Sequence, residues 1–369
     1  MQASPPFRYR LLRRVAVDAD RVVFLGEQLG VANFSRRVAV KVFQAEFAAV
    51  EQLLDLIRSQ VHLNCALHHG SIVGLSDSGI HKGSPYLVFD YVDGPDLEAI
   101  FKRRGEAKVP VEATLRIVAQ LADALHYTHT SGADGGRNPE PVHGGISPSR
   151  VLVEVSGAVR VTGFGSPLKD LAYSSPEQLR GDPLDGRSDL FSLGGLLYEC
   201  LTGVQPFRQS TPHRTVDAIL GHSCESPCAH RHDLSPSLGQ LVLSCLEKSP
   251  ESRPHNLDEL RKQLLSHLGF EASWMRRRAL SDFLAETFPE RTPGFLKDSQ
   301  PTPTPPSWDH LVHRLSPRVV PLPQSLDDQT FSSIGLVNNP CAAGPRISQR
   351  PEPDETGDPL AVTGGAGNA

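Results

Sequence analysis

Between Arg37 and Phe43, Val38, Val40 and Val42 alternate with Arg37 and Lys41, the two-residue period of a half-buried strand. Two more strand-like stretches precede it, Tyr9 to Val17 and Val22 to Glu27. The period then lengthens. From Ala45 to Leu67 the apolar positions include Leu53, Leu54, Ile57, Val61 and Leu67, which predicts a helix with one buried face. Short strands are predicted near Ile72 to Leu75 and Tyr86 to Tyr91. This part of the chain reads as a small, mostly antiparallel sheet with one helix.

After Gly94 helical spacing takes over. Val111 to Thr128 carries Leu115, Val118, Leu121, Ala122 and Leu125 at that spacing. A Gly-rich loop follows at Ser131 to Arg137. Val151 to Val155 and Val159 to Thr162 predict a hairpin that turns at Ser156-Gly157. Helices then dominate to about Leu268. Ala279 to Thr287 predicts one more, with Leu280, Phe283, Leu284 and Phe288 as its apolar side. From Asp298 the chain turns to Pro, Gly and acidic residues, and Pro301, Pro303, Pro305 and Pro306 fall close together. Such a segment buries too little apolar surface to order itself, so a disordered tail is expected over 298–369. Trp308 to Leu315 and Phe331 to Val337 are apolar patches within it, of the size of short docking motifs.

Composition narrows the function classes. The chain has 369 residues and is 39% hydrophobic, enough for a real core. A net charge of -5 gives no electrostatic reason to expect nucleic acid as a partner. The six cysteines are scattered, which suits a reducing compartment. No apolar run reaches the ~18 residues of a membrane span. Leu190 to Leu201 is interrupted by Ser192, Gly194 and Gly195 and reads as a buried helix. Met1 to Arg10 has no apolar signal-peptide core. The expected location is the cytoplasm.

Several motifs, taken in order, carry a resemblance. They are Val38-Ala39-Val40-Lys41, Leu87-Val88-Phe89-Asp90-Tyr91-Val92, His143-Gly144-Gly145-Ile146-Ser147-Pro148-Ser149-Arg150, Thr162-Gly163-Phe164-Gly165, Ser175-Pro176-Glu177, Arg187-Ser188-Asp189 and Arg253-Pro254. The ordered set resembles the bacterial eukaryotic-like (Hanks-type) Ser/Thr protein kinases from about Phe7 to Leu268. The resemblance implies an α+β, bilobal protein-kinase fold. Its expected parts are a β-rich N-lobe with one helix over 7–93 and a helical C-lobe over 94–268. A helical extension over 269–297 and the tail follow.

Phosphoryl transfer needs acidic groups that hold magnesium and accept a proton. By the resemblance, Gly145 stands where the family has its proton-accepting aspartate, and Gly144 replaces the arginine before it. Arg150 replaces the metal-binding asparagine, and Gly163 replaces the D-F-G aspartate. Glycine has no side chain to ligate a metal or take a proton. No Asp or Glu lies between Pro141 and Glu154, so a shifted alignment does not restore the loss. Gln60 falls at the position of the helix glutamate that pairs with Lys41. The three glycine-loop positions are Ala16, Asp18 and Arg21. Only Ser166 to Ser174 separate Gly165 from Ser175, a short activation segment without threonine.

The positions that hold the fold are kept. Glu177 and Arg253 match a buried ion pair, Asp189 matches the residue that holds the catalytic-loop backbone, and His143 and Phe164 match a spine between the lobes, with Leu75 and the polar Asn64. The resemblance therefore implies an inactive member, a pseudokinase. Its expected role is that of a signalling scaffold or allosteric regulator with protein partners, an active kinase or its substrate. Two alternatives stay open: a nucleotide-binding sensor, and an atypical Ser/Thr kinase with residual ATP-dependent activity. An ATP pocket would use Lys41, Val23, Ala39 and Leu152 with the backbone of Asp90 and Val92, and would take ATP without magnesium. Against it stands the option that Phe89 and other core side chains fill that space.

One cluster lies outside this scheme. His222, Cys224, Cys228, His230 and His232 crowd one segment, and two thiolates with two imidazoles would suit tetrahedral zinc. The spacing is not that of a zinc finger, and a polar loop with incidental cysteines is the competing explanation.

Overall fold

The computed structural model describes residues 8–18, 21–30, 34–43, 50–81, 84–105, 108–131, 141–268 and 277–291. The expected tail lies outside the described residues, as do most of the Gly-rich loop and part of the expected extension.

Five strands form the first lobe: β1 (Tyr9–Val17), β2 (Arg21–Leu29), β3 (Ser35–Phe43), β4 (Leu75–His81) and β5 (Ser84–Asp90). Their order is β1-β2-β3-β5-β4, with every neighbour antiparallel. Residues directly opposite one another share a face. Lys41 lies opposite Val23 and Leu87, and Ala39 opposite Leu25 and Phe89, so these side chains line one face. The helix α1 (Val50–Ala66) packs on it, joining Ile57 and Val61 to Phe43, Leu75 and Leu87. Phe89 packs against this cluster. The other face buries Phe24, Val38, Val40, Val42 and Val88 under Tyr9 and Leu11 of β1.

One strand falls elsewhere than its pattern predicts. Ile72 makes a single parallel bridge to Val161, and the sheet strand begins only at Leu75. The apolar pair Ile72-Val73 is used to join the lobes. The Val73 N–H donates to the Val161 carbonyl at 2.9 Å, and the Val161 N–H donates to the Ser71 carbonyl at 2.8 Å.

The second lobe is helical. It contains α2 (Leu97–Arg104), α3 (Val111–Thr130), α4 (Pro176–Arg180), α5 (Gly186–Thr202), α6 (Pro212–Gly221), α7 (Pro227–His230), α8 (Pro236–Cys245), α9 (Leu257–Ser266) and α10 (Arg277–Thr287). A short hairpin, β6 (Val151–Val153) and β7 (Val159–Val161), carries the cleft side of this lobe. Helix α5 is buried from Ser188 to Tyr198, as its apolar run predicts for a central core helix. Asp185 caps its start by accepting from the Arg187 N–H, and Gly203, at φ 78°, ends it. Leu280, Phe283, Leu284 and Phe288 are all buried, so α10 docks on the lobe by the face its sequence period predicts. Arg104 and Arg103 of α2 lie over the rings of Phe283 and Phe288. Among the described residues no helix is long and apolar enough to cross a membrane.

Candidate active site

The cleft between the lobes is built from β1 to β3 above and the 141–175 segment below. Lys41 is buried on β3, and its Nζ donates to Gln60 Oε1 of α1 at 2.8 Å and to Ser166 Oγ at 3.4 Å. The pairing expected from the sequence therefore forms, with a neutral amide in place of a carboxylate. Gln60 Nε2 is buried without a hydrogen-bond partner among the described residues. The Asn64 amide, on the next turn, donates to the Gln60 and Phe164 carbonyls at 2.7 and 3.3 Å. The polar group in the spine is thus satisfied rather than stranded.

Asp189 organises the loop below. Its carboxylate accepts the backbone N–H groups of His143 and Gly144, each at 2.8 Å, and meets His129 Nε2 at 2.8 Å. Burial opposes ionisation of Asp189, but His129 and these N–H groups outweigh it and hold the pKa low. The His143 ring stands edge-on to Phe164, centroids 4.5 Å apart. Burial pushes the His143 pKa down to about 4, which keeps the ring neutral. Its Nε2 lies 3.2 Å from the Thr162 carbonyl, which accepts from it.

The decisive geometry surrounds Arg150. The side chain is 4% exposed and folds across Gly163 toward Gly145. A Cβ at Gly145 would run into its Nη1, and a Cβ at Gly163 would lie 2.9 Å from its Cδ. Gly163 also has φ +100°, where a side chain is strained. The guanidinium donates to the Pro167 carbonyl through Nη2, while Nη1 is buried without a partner among the described residues. Burial lowers the Arg150 pKa to about 10, with repulsion from Arg21 adding to it and Asp18 opposing it. The space beside these two glycines is filled by a cation.

Asp18, just after β1, accepts from Arg21 Nε at 3.0 Å and lies 3.6 Å from Lys169 Nζ. The glycine-loop positions Asp18 and Arg21 are therefore tied to the short activation segment through Lys169. That segment is in turn pinned to the helical lobe. Tyr173 is buried and its hydroxyl donates to Glu199, while Ser192 Oγ donates to the Tyr173 carbonyl at 2.7 Å. Gln178 Nε2 donates to the Gly144 carbonyl at 2.8 Å, and Gln178 closes a capping box with Ser175.

Behind the cleft, Glu177 and Arg253 make a two-bond ion pair at 2.7 and 2.9 Å, with Ser188 Oγ donating to Glu177 at 2.7 Å. Burial opposes the Glu177 charge, yet these donors bring its pKa down to about 2. Val23, Ala39 and Leu152 are each half-buried, not sealed into a core. Val92 is buried, and the Asp90 N–H is engaged with the Gly74 carbonyl at 3.0 Å. The Asp90 carboxylate turns away to Ser76, whose hydroxyl it accepts at 2.9 Å.

Comparison with known families matches residues 29–267 to the protein kinase domain. The chain belongs to the protein kinase family. Its relatives include serine/threonine-protein kinase PknB of Mycobacterium leprae, 34% identical over 274 residues, which span 65% of this chain and 42% of that one. PknB of Mycobacterium tuberculosis is 30% identical over 347 residues, 85% of this chain and 51% of the relative. Tyrosine-protein kinase MasK of Myxococcus xanthus is 28% identical over 298 residues, 76% and 46% of the two chains. The chain spans about half the length of these relatives or less. The bacterial Hanks-type group expected from the motifs is thus the right one.

A kinase implies ATP, typically with magnesium, and the two ligands fit this domain differently. The half-exposed apolar walls and Lys41 suit a nucleotide. Magnesium is not suited: Gly145 and Gly163 offer no oxygen side chain, and Arg150 brings positive charge to the same place. Among the described residues no three His, Cys, Asp or Glu side chains gather as a metal site.

That finding bears on the zinc candidates. Cys224 Sγ contacts the Glu225 carbonyl at 3.5 Å, Cys228 Sγ turns toward the Ser235 carbonyl, and His230 pairs with Glu225 at 3.2 Å. His222 caps the end of α6, and His232 lies beyond the end of α7. No three of the five gather at one point among the described residues. A cavity of about 470 Å³ lies on the helical lobe, where Gln120, Ala158, Leu265 and Leu280 meet, and contains none of the cleft residues.

Sequence reasoning missed Ser166 and Pro167, Lys169, His129 and Tyr173. Only Ser175 with Gln178 had a readable signal, the S-x-x-Q spacing of a capping box.

Proposed function

We propose that this kinase domain does not transfer phosphate and instead acts by binding, as a scaffold or allosteric regulator of an active kinase or its substrate. The observation that carries the reading is the place of the Arg150 guanidinium, packed against Gly145 and Gly163. Phosphoryl transfer depends on acids that hold metal and orient the nucleophile, and a cation here opposes both tasks. The intact supports around Asp189 and Glu177 fit a domain kept for its surface.

The competing reading, a kinase with residual activity, is favoured by Lys41, which is held in place by Gln60. One experiment separates them. The purified chain is incubated with γ-labelled ATP, magnesium or manganese, and generic acceptor proteins. The expected result is no transfer above that of Lys41→Ala. Metal-dependent transfer lost in Lys41→Ala would overturn the proposal.

A further inference from the structure

The cleft gathers cations around one short turn. Lys41 contacts Ser166, the Arg150 guanidinium contacts Pro167, and Lys169 ends the same stretch. Arg21 approaches from β2, close enough to repel Arg150. The carboxylate found among them is Asp18, which bridges Arg21 and Lys169. Arg150 is the least compensated, since it is nine-tenths buried or more and its Nη1 has no partner among the described residues. A buried cation of this kind gains from any anion that reaches it, because screening is weak there. The guanidinium fork also matches phosphate oxygens in geometry.

We propose that Arg150 stands in for the magnesium ions, so that the cleft binds a metal-free nucleoside di- or triphosphate whose phosphates displace Asp18. The nucleoside part is assigned by Val23, Ala39 and Leu152, apolar side chains that are each only half-buried. Asp18 is the built-in anion: it already neutralises Arg21 and Lys169, and a phosphate chain offers the same cations more charge. Bound magnesium cancels charge on the phosphates and presses a cation toward Arg150, so it weakens binding. This inference rests on the reading that the domain performs no transfer.

The test is calorimetric titration of the full chain with ATP, ADP, adenosine and inorganic triphosphate, in EDTA and in excess magnesium. ATP and ADP are expected to bind in EDTA and more weakly with magnesium. Asp18→Asn is expected to tighten ATP by about tenfold, and Arg150→Gln to weaken it by about tenfold or more, with adenosine unchanged. These opposite shifts distinguish an anion site from a general loss of structure. Absence of ATP binding in EDTA, a requirement for magnesium, or an unchanged affinity in Asp18→Asn would overturn the inference. Inorganic triphosphate binding as tightly as ATP would overturn the nucleoside assignment. Should Arg150→Gln fail to fold, the metal dependence of the unaltered chain and Asp18→Asn decide. The labelled-phosphate assay fails or succeeds separately: transfer sinks the silent-domain reading, whereas missing metal-free binding sinks only this one.

Discussion

Glu177 and Arg150 are both charged and almost fully buried, at 5% and 4% exposure, but only one has met its counter-ion. Glu177 faces Arg253 through two bonds and accepts a third from Ser188. Arg150 reaches a single backbone carbonyl and leaves Nη1 unpaired among the described residues. Glu177 is buried where it is neutralised, which is the usual condition for burying a charge at all. The cleft departs from that condition at the place where the family keeps metal-binding acids. Charge has been kept where it holds the backbone and inverted where it would serve chemistry.

The comparison is broken most strongly from the helical side. Arg253→Ala strands Glu177 and should cost about 3–5 kcal/mol in urea unfolding. A cost under about 1 kcal/mol would mean the pair is no better supported than a surface bridge.

Acid probes a buried group held neutral. His143 takes a proton only near pH 4 when folded, against an ordinary 6.5. The unfolded chain therefore binds more protons between these values, and stability falls as pH drops from about 6.5 toward 4. The loss from this residue is on the order of 3 kcal/mol. His143→Gln should flatten that part of the thermal-melt profile, and an unchanged slope would assign it to other groups.

The cleft side is sharpened by Gly163→Ala. The added methyl meets Arg150 Cδ at 2.9 Å on a backbone with φ +100°, so a loss of about 1–3 kcal/mol is expected. In an Arg150→Ala background the loss should shrink, because only the backbone strain remains. Strict additivity in this double-mutant cycle would show that the arginine does not occupy the space beside Gly163.

The smallest effect is a gain. Gln60→Glu gives Lys41 a carboxylate at the 2.8 Å position and should stabilise the fold by about 1 kcal/mol at neutral pH. A loss would show that desolvating a new carboxylate there outweighs its bond to Lys41.

Much of this is legible in the sequence. The alternation in β3, the period of α3 and the buried run of α5 are local patterns, and each element lies where its pattern put it. The Lys41–Gln60, Glu177–Arg253 and Asp189 contacts were legible too, because motif order carries the family's three-dimensional neighbours with it. Ile72-Val73 misled, since an apolar pair looks the same whether it joins its own sheet or bridges to β7. The His and Cys cluster carried two explanations, and among the described residues no three of its side chains gather as a metal site, because nearness in sequence is not convergence in space.

By itself, then, the sequence determined the two-lobed architecture, the retained supports and the absence of acids at Gly145 and Gly163. Only the tertiary structure decided where Arg150 points and what Asp18 holds. Arginine has a long, rotatable side chain, and its destination depends on space opened by glycines before and after it in the chain and on a carbonyl at Pro167. Asp18 meets Lys169 across the cleft, a distance in sequence that no local period encodes.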